Sequence, residues 1–309
     1  MKRYLIAVAA LAAIFPTASA QWKMAGDKIR TEWAESVTPQ NVWQEYPRPQ
    51  MVRSEWKNLN GLWNYAITPA AAVKPTAFDG QILVPFAVES ALSGVARAVT
   101  ENDALWYERE ISIPSAWASQ RIMLNFGAVD WSADVYVNDI LVGSHTGGYA
   151  PFSIDITPAL NPKKGAVQRL TVRVTDPTDT QKHPIGKQRL TPKGIWYTAV
   201  TGIWQTVWIE PVPVENRIVA IRPDCNVFKG ELYVDVECAE QDGLVEIDIF
   251  DGSEKVASAK SVAGKRAVVI LPDAKLWDTE NPFLYGMKIS LRRNGKIIDE
   301  VESYAAMRN

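Results

Sequence analysis

The sequence predicts an all-β chain built as two consecutive β-sandwiches, and three observations lead there. From Val52 onward, short runs of apolar and β-branched residues are separated by turn residues. Long helical periodicity is missing from the same stretch. The runs fall into two groups, divided by the proline-bearing break Pro211 to Asn216.

The elements follow in chain order. Lys2 and Arg3 open the chain, Tyr4 to Phe15 is apolar, and Ala18-Ser19-Ala20 has the small-x-small form of a cleavage site. Residues 1–20 therefore read as a signal peptide, shorter than the roughly 20 apolar residues of a membrane span. The expected location is exported, periplasmic or extracellular. Residues 21–50 carry Pro39, Pro47 and Pro49 with Trp22, Trp33 and Trp43. They read as an arm draped over a domain, with a short helix around Ile29 to Ser36; its first ten residues read equally well as a disordered leader.

Residues 51–213 form the first sandwich. Its expected strands are Leu62 to Ile67, Ile82 to Val84, Leu105 to Ile113, Ile122 to Phe126, Ser132 to Val137, Leu170 to Val174 and Gln205 to Glu210. Ser132 to Val137 places Ala133, Val135 and Val137 on one face. Asn138-Asp139 is a hairpin turn, and jelly-roll connections fit the pattern. Residues 214–304 follow with Ile218 to Pro223, Leu232 to Cys238, Leu244 to Phe250, Ala267 to Leu271, Leu284 to Leu291 and Lys296 to Ser303. That many short strands at a close pitch predict an immunoglobulin-like β-sandwich. Cys225 and Cys238 sit at opposite ends of one hairpin. A strand of that length spans about 26 Å, against the roughly 7 Å limit between disulfide Cα atoms. Two free thiols are expected, with Cys238 a small core hydrophobe.

The formal net charge is −2, with 33 basic and 35 acidic side chains, and the leader removes two of the basic ones. That balance argues against a nucleic-acid or anionic-membrane partner.

Leu59-Asn60-Gly61-Leu62-Trp63, Val84-Pro85-Phe86 with Glu89-Ser90, and Trp106-Tyr107-Glu108-Arg109 resemble successive motifs of one family. So do Phe126 to Asp130, Val135 to Asn138, Val142 to His145, Gly147 to Phe152 and Asp155-Ile156-Thr157. Arg173 to Asp176, Gly202 to Trp208, and Leu276-Trp277 with Pro282 to Tyr285 complete the series. In this order the chain resembles glycoside hydrolase family 2, the β-galactosidase, β-glucuronidase and β-mannosidase relatives. The resemblance implies a jelly-roll sugar-binding domain followed by an immunoglobulin-like domain. In the family both precede a (β/α)₈ barrel that holds two catalytic glutamates. Glu302 to Asn309 resembles the handover to that barrel, so residues 305–309 read as a stub before a missing catalytic domain. The expectation is a non-catalytic set of modules from a truncated enzyme acting on β-glycosides. Two alternatives are a stand-alone carbohydrate-binding protein and a structural module pairing with a separate catalytic barrel.

The residues agree with a missing active site. Retaining glycoside hydrolysis needs two carboxyls about 5–5.5 Å apart, and the Asn-Glu dipeptide of the family's acid/base does not occur here. No catalytic residue, metal site or cofactor is expected. His145 and His183 lack zinc-ligand spacing. Asp176, Asp179 and His183 form a polar cluster, open to a hard cation but more simply a solvated loop.

A pyranose is recognised by flat aromatic faces and planar polar groups. The loop from Asp176 to Trp204 offers both, and its carbohydrate-binding candidates are Asp176, Asp179, His183, Gln188, Trp196 and Tyr197. The resemblance places this loop near the barrel's active site. Trp196 stands where some relatives carry an acidic sugar contact, which puts that contact in doubt here. Packing inside the jelly roll or against a barrel is the alternative for Trp196 and Tyr197. Trp131, Trp204 and Trp208 read as packing residues. An exposed apolar patch is expected near Trp196, Tyr197 and the C-terminus.

Overall fold

The computed structural model describes residues 22–163 and 165–308; the expected signal peptide lies outside them. Alternation builds the first sandwich. Ser132–Val137 buries Ala133, Val135 and Val137 completely, because successive strand side chains point to opposite faces. It belongs to a six-stranded antiparallel sheet in the order Gly80–Val84, Gly61–Pro69, Asp103–Ser112, Val167–Thr175, Ser132–Val137, Ile140–Thr146. The opposing sheet runs Lys57–Asn58, Val207–Val212, Arg121–Phe126, Phe152–Asp155. The chain passes repeatedly between the two sheets, which gives the jelly roll. Trp63, Tyr107, Phe126, Leu105, Leu124 and Leu170 fill the space between them, each such burial contributing about 1.5–3 kcal/mol. The Trp63 indole N–H donates to the Leu59 carbonyl at 2.8 Å, so its polar edge is paired. Asn138 and Asp139, at φ +51° and +65°, make the expected two-residue hairpin turn.

The second sandwich stacks Ile218–Asn226, Glu231–Cys238 and Ala267–Ile270 on a sheet ordered Glu254–Val262, Leu244–Asp251, Tyr285–Arg293, Lys296–Ala305. Leu232, Val234 and Val236 point into its core with Ile247, Ile289 and Leu291. Ile218–Asn226 runs three residues past Pro223, so Cys225 lies in the strand, opposite Leu232, while Cys238 faces Ile218. Both thiols are free. Cys238 is half-buried at the core's edge, and burial pushes its thiol up to about 11.

The strands Ile140–Thr146, Phe152–Asp155 and Glu254–Val262 went unforeseen. All three are sheet edges, and the first and last are largely exposed. An edge strand has one flank in solvent and little need of an apolar face. Of the helix expected around Ile29 to Ser36, only the 3₁₀ turn Glu32–Ser36 forms.

Residues 46–53 tie the sandwiches together. Val52 exchanges backbone hydrogen bonds with Glu302 at 2.8 and 3.0 Å, and Met51 enters the second core. Arg53 makes a bidentate pair with Asp299 at 2.6 and 2.9 Å and lies 3.7 Å from Glu210. Glu210 also accepts from Tyr46, Arg48 and Trp208.

The C-terminal segment packs onto the second sandwich. Met307 bridges to Leu276 and is fully buried, as is Ala305 nearly so. The Arg308 guanidinium covers the Trp277 ring at 4.6 Å. Apolar side chains here found a place in the second sandwich, so the apolar patch expected at this end is not formed by them. Among the described residues no helix is long and apolar enough to cross a membrane.

Candidate functional site

The segment from Asp176 to Thr201 leaves the strand Val167–Thr175 and returns to the jelly roll at Gly202. Its two ends are pinned by one carboxylate. Asp176 accepts from the Thr178 N–H at 2.7 Å and from the Thr201 hydroxyl at 2.9 Å. The Thr201 N–H in turn donates to Glu89 at 2.9 Å. Gln188 anchors the middle. Its amide N–H donates to Asp130 at 2.9 Å, and its carbonyl accepts from the Val200 N–H at 2.7 Å. Gln188–Arg189 and Tyr197–Thr198 then pair as a short parallel ladder.

Three acids thus meet beneath the loop, with Glu89, Asp130 and Asp176 only 3%, 3% and 1% exposed. Burial is the main cause of every shift here. It pushes Glu89 up to about 7 and Asp130 up to about 6, opposed by their hydrogen bonds and reinforced by the nearby Asp176. Asp176 is also raised, again by burial first. A carboxyl without full solvation resists ionisation. His183 lies over Trp131 with ring centroids 4.4 Å apart, its Nε2 4.0 Å from Asp176. Trp204 donates its indole N–H to the Gly148 carbonyl at 2.8 Å and meets Tyr149 edge-on.

Gly148 passes so close to Asp130 that a Cβ there would lie 2.4 Å from the carboxylate. Gly148→Ala is expected to displace Asp130 and its Gln188 anchor, costing about 1–2 kcal/mol. Thermal unfolding would register the loss, and an unchanged midpoint would count against the anchor.

The outer surface of the loop is different in kind. Ile195, Trp196 and Tyr197 are 67%, 36% and 65% exposed. The Arg189 guanidinium covers the Trp196 ring at 3.9 Å, and the Lys187 ammonium stands 5.6 Å from the Tyr197 ring centre. This is an aromatic shelf with cations on it.

The sequence candidates therefore divide. Trp196 and Tyr197 are exposed rather than packed into the jelly roll. Gln188 is a structural anchor. Asp176 is buried and satisfied from within, so it holds the loop's base instead of offering a surface contact. Asp179 pairs with Arg189 at 3.7 Å. No cluster of three potential metal ligands occurs among the described residues. Of the three packing tryptophans, Trp208 is buried, whereas Trp131 and Trp204 are partly exposed beside the loop. Glu89, Asp130 and Thr201 were missed as loop anchors. Nothing local marks a carboxylate as buried, although Glu89 and Asp130 both stood within the family-like motifs.

Comparison with known proteins gives the following. A model described as "Glycosyl hydrolases family 2, sugar binding domain" matches residues 92–213, and one described as "Glycosyl hydrolases family 2" matches residues 217–308. The β-glucuronidase of Paenibacillus borealis is 24% identical over 284 residues, 85% of this chain and 47% of that protein. The β-galactosidase of Thermoanaerobacterium thermosulfurigenes is 29% identical over 201 residues, 61% of this chain and 28% of that protein. This chain thus spans about half, or less, of these relatives' length. Among solved structures, Lactobacillus rhamnosus β-glucuronidase superposes with a TM-score of 0.68 at 23% identity, over 83% of this chain and 45% of that one. That likeness concerns the fold.

Proposed function

Because the chain belongs to glycoside hydrolase family 2, we propose that it supplies the sugar-binding and immunoglobulin-like modules of a system acting on β-glycosides. In this reading the chain holds a β-linked glycan and does not cleave it. The exposed Trp196–Tyr197 shelf carries the proposal. The Tyr197 ring, kept largely in solvent on an anchored loop, suits the C–H face of a pyranose, beside Trp196 with one ring face under Arg189. The carboxyls drawn together beneath the loop are closed to a substrate, since Glu89 and Asp176 are almost wholly buried. Bond cleavage would then fall to a catalytic barrel, encoded with these modules or as a partner chain, and the same exposed shelf suits packing against it. The basic, apolar and small-residue order of residues 1–20 supports an exported, periplasmic or extracellular place.

The purified chain is expected to show no turnover of aryl β-glucuronides or aryl β-galactosides. It is expected to bind β-linked oligosaccharides in calorimetry, with Trp196→Ala weakening them about tenfold. Turnover that disappears when one of this chain's carboxylates is replaced would overturn the reading.

A further inference from the structure

Among the described residues five acids are buried: Glu89, Asp130, Asp176, Glu210 and Asp299. Two of them are matched by arginine. Glu210 pairs with Arg48 at 2.6 Å, and Asp299 with Arg53 at 2.6 Å. The other three are the acids beneath the loop. Among the described residues the one group of opposite charge within ion-pair reach of them is His183, 4.0 Å from Asp176.

The three acids also act on one another. Glu89 and Asp176 both hold Thr201, the first through its N–H and the second through its hydroxyl, each at 2.9 Å. The charge of Asp176 bears on both Glu89 and Asp130. The Tyr107 hydroxyl, which accepts from the Ile203 N–H at 3.2 Å, is a further titratable group facing Glu89. Glu89 Oε1 is shut off from solvent and receives no hydrogen bond. An ionised carboxylate there is charged, dry and half-unpaired, which costs more than a neutral carboxyl in the same place. Among the described residues no group of three His, Cys, Asp or Glu side chains is arranged to hold a metal ion in place of the missing arginine. Protons can neutralise the cluster instead.

Each of these acids is also an anchor of the segment that carries the shelf. Asp176 closes its two ends, Glu89 holds the returning end, and Asp130 holds Gln188 in the middle. The segment's own strand pairing is one two-residue ladder, Gln188–Arg189 with Tyr197–Thr198. The anchors therefore set how firmly Trp196 and Tyr197 are held. Burial puts Asp130 at about 6 and Glu89 at about 7, and it raises Asp176 as well. For acids raised in this way, stability is full at low pH and is lost as pH rises through these values. Negative charges then gather in one buried site with no arginine to offset them.

We propose that the segment from Asp176 to Thr201 is a pH-gated strap, held on the jelly roll while its three carboxyl anchors are neutral and loosened as they ionise. The shelf then grips a glycan more tightly in mildly acid surroundings. The gate stands on the buried acids alone, whereas its effect on a glycan rests on the reading of the shelf as the glycan-contacting surface.

Hydrogen exchange of the intact chain in EDTA, read by mass spectrometry and corrected for the intrinsic pH dependence of exchange, tests the gate. Protection across residues 185–199 is expected to fall about tenfold between about pH 5.5 and about pH 8. The strands Tyr285–Arg293 and Lys296–Ala305 serve as the reference and are expected to keep theirs. Glu89→Gln with Asp130→Asn keeps an acceptor at each anchor but cannot ionise, and is expected to hold the loop equally at both pH values. Circular dichroism and unfolding midpoints check that this double variant folds. Affinity for a β-linked oligosaccharide, measured by calorimetry, is expected to fall about tenfold at the higher pH in the native chain and to stay level in the double variant. Loop protection that does not change with pH overturns the gate. So does an equal loss in the reference strands, which would mean general unfolding, or an equal loss in the double variant. A loop that loosens as expected while no oligosaccharide binds at either pH supports the gate and defeats the glycan reading.

Discussion

Arg53→Ala is expected to destabilise the chain by about 3–5 kcal/mol, the largest effect of any single substitution considered. Arg53 is 6% exposed and answers two acids at once. Asp299 receives both terminal nitrogens, at 2.6 and 2.9 Å, while Glu210 stands 3.7 Å from the guanidinium Nε. Arg53 also donates to the Ile218 carbonyl at 2.9 Å. Truncation leaves Asp299 buried and without its cation, the costly outcome when one half of a buried pair is removed. Glu210 keeps Arg48 at 2.6 Å and suffers less. Arg53→Lys should restore only part of the loss, because an ammonium cannot form the two parallel bonds.

The location makes the effect more than local. Glu210 lies on a jelly-roll strand, Asp299 on a strand of the second sandwich, and Arg53 on the segment between arm and sheet. Calorimetry of the variant should therefore separate one unfolding transition into two. Replacing Asp299 by leucine together with Arg53 by methionine should recover part of the loss, since no orphaned charge at Asp299 remains while the buried Ile218 N–H loses its acceptor. A single unfolding midpoint unchanged by Arg53→Ala would refute the clamp.

Glu89→Gln is expected to stabilise the chain, by up to about 3 kcal/mol at pH 8 and by little at pH 5. Burial raises Glu89 from its ordinary 4.5 to about 7. Between those two values the folded chain holds a proton that the unfolded chain releases. Stability from this group is therefore intact below about pH 4.5 and declines as pH rises toward 7. A shift of this size corresponds to about 3 kcal/mol. Glutamine stays neutral and keeps a carbonyl for the Thr201 N–H. Asp130 and Asp176 slope the same way, but they are common to both proteins and largely cancel in the difference. Urea unfolding of both proteins at pH 5 and pH 8 measures it. A stability difference that does not change with pH would show that Glu89 is ionised in the folded chain.

The family motifs and strand alternation determined much of this protein by themselves. Ser132 to Val137, Leu232 to Cys238 and the Asn138-Asp139 turn were legible because strand and turn chemistry is written in neighbouring residues. The order of motifs likewise marked the two modules before any coordinates. Trp196 and Tyr197 were found as candidates, but not whether they face water. Exposure depends on what the rest of the fold leaves uncovered. The three edge strands escaped because solvent on one flank removes the apolar pattern. Tertiary structure alone decided the loop's base. Gln188 and Asp130 meet across 58 residues, and Thr201 and Glu89 across 112. A carboxylate's spelling is the same on the surface and in the interior. Only the surrounding chain removes its water, and that removal turns Glu89, Asp130 and Asp176 from ordinary acids into the raised, buried supports of the loop between Asp176 and Thr201.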